Sequence, residues 1–319
     1  MIKRSTGEAL RISDAHCDSV QVVTPLRLAF GSPKSRLDFP RLAEGSCLQF
    51  MACFLGADAT SLSPQEARRR LRQQSMDLHF AASLCPDVEL LGDFSLAGRS
   101  DKVQLVPAIE GLDFLAEDFR LVDDLYEQGF RSFGLFWNND SFLGCGALTP
   151  ADKGLTGAGR ELVRHLAGRS RLVDLAHASE KSFWQAAEIL SDYGRPVFVS
   201  HSCAAALCRH RRNLSDAQIR AVGQSGGLIG LALVPQFLNS SGRATAADFA
   251  RHAAHIAELI GAEHIAMGSD FDGTEALPEG IRGIEDAARL YNALLAAGFA
   301  EAAAAGIMGE NLPAFLRRL

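Results

Sequence analysis

Short apolar, β-branched runs alternate along this chain with longer stretches in which apolar residues recur at helical spacing. The runs fall at residues 10–18, 47–56, 103–110, 131–137, 172–177, 196–201, 226–234 and 264–270, and the pattern predicts eight strands there. Between them, residues 64–84, 119–129, 157–166, 179–193, 215–225 and 246–261 read as helices. Ser179-Glu180 and Ser215-Asp216 supply residues of the capping type at two of the starts. Strands alternating with helices imply parallel βαβ units. Eight such units predict an α/β fold of the closed (β/α)8, TIM-barrel type, and an open doubly wound sheet is the competing arrangement. Residues 24–45, rich in Pro, Gly and charge, read as an excursion after the first strand. Residues 301–319 read as helical, broken at Gly309 and Pro313.

Barrel enzymes carry their chemistry where the strands end, on the rim that holds the βα loops. The first run ends in His16-Cys17-Asp18, the third in Glu110, the fifth in His177, the sixth in His201 and the eighth in Asp270. All are metal-ligand or acid/base types. In an extended chain residues two apart share a face, so His16 and Asp18 point together toward the axis while Cys17 points away. His177 and His201 add two imidazoles from neighbouring strands, and Glu110 is placed to give one oxygen to each of two metals. The mixed nitrogen and oxygen set suits two Zn²⁺ per chain, with Mn²⁺ or Co²⁺ as substitutes. Such pairs stand about 3.5–4 Å apart with a hydroxide between them. Taken singly, each feature has a plainer reading: a hydrogen-bonded structural histidine, a chance His-x-Asp, or turns at Glu110-Gly111 and Asp270-Phe271-Asp272-Gly273. Five such coincidences on one rim are much harder to obtain than one.

Length and composition narrow the field. The 319 residues carry a net charge of −6, which argues against a nucleic-acid binder. With 47% hydrophobic and 22% charged residues the chain is globular in composition, and one catalytic barrel domain over residues 1–319 is expected. No apolar run reaches the roughly 18 residues of a membrane span, and the first residues lack the apolar core of a secretion signal. Seven cysteines without paired spacing fit reduced thiols in a cytoplasm, and Cys203 and Cys208 read as buried and inert. The glycine-rich residues 223–227 precede a strand, not the helix a phosphate cradle needs. His252, His255, His79, His165 and His210 read as background, and His264 lies at the wrong end of its strand.

With these residues in view, the chain resembles the renal or membrane dipeptidase family of zinc peptidases. The matching stretches are DAHCD (14–18), RLDFPRLAEGSCLQF (36–50), PAIEG (107–111), LVDLAHAS (172–179), PVFVSHSCAAALCRHRRNLSD (196–216), GSDFDG (268–273) and IMGENLPAFL (307–316). They occur in the family's order, and the run from His201 to Asn213 is the most specific.

The resemblance implies a (β/α)8 barrel, frequently a homodimer, acting on small dipeptides; the net charge argues against a nucleic-acid partner, and the lack of a signal sequence or hydrophobic tail against a membrane one. It implies that His16 and Asp18 bind one zinc, His177 and His201 the other, and Glu110 both. Asp270 would be the acid/base, and Arg212 would contact the substrate's terminal carboxylate. The function expected is hydrolysis of the peptide bond of dipeptides by a metal-bridging hydroxide. One departure stands out. The family's fourth strand commonly ends in a His-Asn pair whose His helps hold substrate, whereas here the pair is Trp137-Asn138. Indole donates one N–H but can neither accept a hydrogen bond nor titrate. Trp137 and Asn138 are therefore candidate substrate contacts of altered character. Glu310 also stands where the family usually has glycine. The same rim could serve a non-peptide amide, a lactone or a phosphoester, because fold and metals do not fix the substrate. A non-catalytic barrel would have lost ligands, and none of the expected positions is empty.

Overall fold

The structure is a computed structural model that describes residues 2–3, 5, 7, 9–56, 59–115 and 119–319. Eight parallel strands form the central sheet: β1 (Ile12–Asp14), β2 (Ser46–Phe54), β3 (Val103–Glu110), β4 (Ser132–Gly134), β5 (Leu172–Asp174), β6 (Phe198–Ser202), β7 (Leu228–Leu231) and β8 (Ile265–Met267). Each pairs with its chain neighbours, β8 returns to β1, and β2 pairs with β3 over the seven-residue register Leu48–Gln104 to Phe54–Glu110. The sheet is therefore a closed barrel, which excludes the open arrangement.

The outer helices are α1 (Pro64–Ser83), α2 (Arg120–Glu127), α3 (Gly157–Gly168), α4 (Glu180–Asp192), α5 (Asp216–Gln224), α6 (Ala246–Ile260) and α7 (Ala287–Ala296). Local chemistry starts them. The Ser179 side chain accepts from Ser182 N, and Ser215 forms a capping box with Gln218. Burial then divides the apolar residues in two. Leu105, Ile109, Phe133, Val199 and Ile229 pack outward against the helices. Leu48, Phe50, Val106, Leu172, Phe198 and Leu228 fill the barrel's interior, where Leu312, Phe315 and Leu316 from the last helix join them as a floor. None of the helices among the described residues is long and apolar enough to cross a membrane.

All eight predicted strands are present, but most ladders are shorter than their apolar runs. β1 stops at Asp14, β5 at Asp174 and β8 at Met267. The candidate residues His16, Asp18, His177 and Asp270 consequently sit on the first residues of the loops. His177 and Asp270 have φ of 65° and 62°, a conformation no strand can contain.

Other elements were not apparent in the pattern: α7, the strand Val88–Leu90 beside β3, and a small hairpin of Asp140–Ser141 and Gly144–Cys145. The excursion at 24–45 contains the helices Pro25–Phe30 and Phe39–Ala43. The C-terminal segment is not broken at Gly309 or Pro313. It runs from Glu301–Ala305 through a π-helical turn, Gly306–Glu310, into Asn311–Leu316. Pro313, four residues on, has no N–H to offer the Gly309 carbonyl, which accepts from Ser13 Oγ at 2.7 Å.

Candidate active site

Six side chains from five strand ends converge at the top of the barrel. His177 Nε2 lies 2.8 Å from His201 Nε2 and 2.9 Å from Glu110 Oε1. On the other side His16 Nε2 lies 3.2 Å from Asp18 Oδ2, and Glu110 Oε1 stands 3.9 Å from both His16 Nε2 and His201 Nε2. Three overlapping trios each bring their ligand atoms within 4.8 Å of one another: Glu110 with His177 and His201, His16 with Asp18 and Glu110, and His16 with His201 and Asp270. All six residues are buried. Glu110, His16 and His201 each belong to two of the trios. Asp270 stands against the cluster rather than apart from it.

The loops that carry these groups are tied across the barrel. Asp14 accepts hydrogen bonds from Ser269 N, Ser269 Oγ, Gln49 Nε2 and His16 N, which joins the His16 loop to the Asp270 loop. Cys17 bridges to Phe271 and turns into the outer core, so His16 and Asp18 share the inward face despite the short ladder. Asp174 Oδ1 accepts from Ala176 N and Ser200 N and joins the His177 and His201 segments. The register of β6 against β7 shifts between Val199 and Ser202, and this bulge aims His201 inward. Asp272 accepts from Arg36 N and Ser19 Oγ, so the 24–45 excursion braces the loop after β8.

Burial governs the electrostatics. Desolvation pushes the carboxyls of Asp18 and Asp270 up to about 7, and that of Glu110 well above its usual range. Desolvation holds His177 and His201 well below the ordinary histidine value. Both shifts weigh against charge separation across the Glu110–His177 contact. Neutral imidazole lone pairs and crowded carboxylates that resist ionising together form a donor set completed by divalent cations, and these residues fit such ions.

A cavity of about 330 Å³ opens over the cluster, lined by Gln21, Phe54, Trp137, Asn138, Arg212, Val234 and Phe237 among others. Arg212 is buried, and its Nε and Nη2 find no hydrogen-bond partner among the described residues. Desolvation lowers its guanidinium to about 10 against the opposing pull of Asp270 and Glu110, so it stays cationic at neutral pH. Asn138 Oδ1 accepts from His177 Nδ1 at 3.0 Å, a link that sequence alone did not suggest. His210, read as background, lies nearby: its Nδ1 accepts from Arg212 N and its ring packs on Phe237 at 4.6 Å. The other histidines have structural partners, such as Leu238 O for His252, Asp216 for His255 and Gly227 O for His264. All seven cysteines are free, and burial raises the thiols of Cys203 and Cys208.

Comparison with known proteins places the whole chain in one family. Residues 5–318 match the model of the membrane dipeptidase family, peptidase family M19. An uncharacterized Klebsiella pneumoniae protein from the pqqA 5′ region is 35% identical over 215 residues, covering 63% of this chain and 77% of its own. An uncharacterized dipeptidase of Schizosaccharomyces pombe is 27% identical over 306 residues, covering 88% and 72%. A Rhodobacter sphaeroides metallopeptidase, crystallised with a phosphinate mimic of the dipeptide L-Ala-D-Ala, superposes with a TM-score of 0.89 over 98% of this chain and 99% of its own at 24% identity. The chain belongs to the membrane dipeptidase family, peptidase family M19, and is a metal-dependent hydrolase.

Proposed function

We propose that this protein hydrolyses the peptide bond of free dipeptides at a centre of two divalent cations, zinc first among them, within one catalytic barrel domain. The observation that carries the reading is the position of Glu110, whose carboxylate belongs both to the His177–His201 trio and to the His16–Asp18 trio. His16 and Asp18 would hold one cation, His177 and His201 the other, and Glu110 both. When bound, the two ions would supply Lewis acidity and an ionised water at neutral pH.

The chain's own groups do the rest. Arg212 presents two unpartnered buried N–H donors to the substrate's terminal carboxylate, which a guanidinium grips at two points. Asp270, buried against the cluster beside His16 and His201, is placed to take a proton from the attacking water and return it to the leaving nitrogen. Phe54, Trp137, Val234 and Phe237 exclude water around the scissile bond. A lactone or a neutral phosphotriester would bring no anionic group to the buried Arg212, which favours dipeptides over those substrates. The seven unbridged cysteines support a reducing, cytoplasmic setting.

The test is a metal count joined to an activity assay. Two zinc ions per chain are expected. Chelation should abolish hydrolysis of a dipeptide panel, and added zinc should restore it. Hydrolysis by fully demetallated protein would refute the mechanism. Asp270→Asn should keep its metal and lose about 10²-fold or more in kcat.

A further inference from the structure

Two aromatic side chains in the cavity are not accounted for by metal binding or proton transfer. Phe54 ends β2, and Trp137 follows β4. Their rings lie 5.2 Å apart at 39°, both half-buried, and both line the cavity. In the β2–β3 ladder Phe54 is paired with Glu110, so this aromatic wall stands directly beside the central carboxylate. Trp137 is held in place through its backbone: its N–H donates to Asp113 Oδ2 at 2.6 Å. Asp113 follows the turn at Gly111, where φ is 80° and a Cβ would press on both the Asp113 carboxylate and Trp137 N.

The closed strand order says which part of a substrate meets this wall. In an eight-stranded ring, strands four apart face each other, so β2 faces β6 and β3 faces β7. Arg212 follows β6, and Phe237 follows β7. A dipeptide whose carboxylate rests on Arg212 and whose peptide bond lies over the ligand cluster directs its other residue across the ring toward β2, whose Phe54 is in ring contact with Trp137. Resting on the dipeptidase reading above, we propose that Phe54 and Trp137 form the pocket for the N-terminal side chain and select dipeptides that begin with an aromatic or large aliphatic residue. Indole and phenyl faces reward apolar surface and offset ring contacts. They give an acidic side chain no partner for the hydration it would lose. The cavity is at the small end for ligand sites, which makes shape at this wall decisive.

The experiment compares kcat/KM of the zinc-loaded protein for Phe-Ala, Leu-Ala, Ala-Ala, Asp-Ala, Lys-Ala and Ala-Phe. Phe-Ala and Leu-Ala should exceed Ala-Ala by about tenfold or more, and Ala-Phe should gain nothing comparable. Trp137→Ala and Phe54→Ala should each bring the Phe-Ala to Ala-Ala ratio toward one, while Trp137→Phe should preserve most of it. Because the ratio compares two substrates on the same molecules, a partly unfolded sample cancels out. Turnover with a flat ratio in the unaltered protein overturns the proposal alone. So does a ratio that survives both alanine variants, or a preference for Asp-Ala, Lys-Ala or Ala-Phe. If no dipeptide is turned over, the dipeptidase reading itself is overturned, and this proposal with it.

Discussion

His177 turns its Nδ1 onto Asn138 Oδ1 at 3.0 Å. Since the amide oxygen only accepts, Nδ1 carries the proton, and Nε2 faces the cluster with its lone pair free. Partners of this kind orient metal-binding imidazoles, and their loss typically costs 10- to 100-fold in affinity. Asn138→Ala should therefore bind zinc about 10- to 100-fold more weakly, read by competition with a chelating dye. Unchanged affinity would assign the amide to some other task.

Arg212 should act on the substrate's charge. Arg212→Ala should raise KM strongly for free dipeptides and little for the corresponding C-terminal amides, and Arg212→Lys should restore only part of the loss because it cannot grip at two points. Equal effects on acids and amides would remove the carboxylate contact.

Without metal, the buried carboxyls set the pH dependence of stability. Asp18 and Asp270 rise from an ordinary 3.8 to about 7 on folding, so the native state holds protons that the unfolded chain has released. Their contribution is complete below the unfolded value and is lost as pH climbs through about 7. His177 and His201, held well below 6.5, work in the opposite direction, but only at pH values below that figure. From about pH 6.5 to 8 the carboxyl effect stands alone, and the Tm of chelated protein should fall across that interval. Zinc should raise the Tm most at the alkaline end, where it replaces the missing protons. Calorimetry at three pH values, with and without chelator, checks both. A chelated Tm that rises with pH would contradict the assignment.

The bulge that aims His201 depends on two glycines. A Cβ on Gly230 or Gly268 would lie far inside van der Waals contact distance of Ser200 O. Gly230→Ala should destabilise the protein by about 1–3 kcal/mol, the usual cost of overpacking, and should weaken zinc binding as the His201 segment shifts. Urea unfolding and a zinc titration measure the two effects. A variant as stable as the parent would show that the strands can part without harm.

The alternation of apolar runs and helical stretches reveals the barrel because parallel strands are buried on both faces and cannot hide among polar residues. The ligands stand out for the opposite reason: His177, His201 and Asp270 interrupt apolar sequence with groups that water would otherwise claim. What escapes is anything settled by distant contacts. Asp14 looks like one more carboxylate of a motif, yet its work is to hold Ser269, 255 residues away. Phe54 ends its strand as an ordinary core residue would, and only the closed ring shows what it faces. The left-handed turns at His177 and Asp270 carry no glycine to announce them.

The π-helical turn has a consequence for the order in which the molecule becomes whole. Through it the backbone of Gly309 sits directly against Arg11 O, with Ser13 Oγ bonded to the Gly309 carbonyl, while Leu312, Phe315 and Leu316 stop the lower mouth of the ring. The first staves of the cask thus wait for its last plug. During synthesis, residues 12–14 find their final support only after residues 306–316 have left the ribosome, so the two extremities of the fold must mature together.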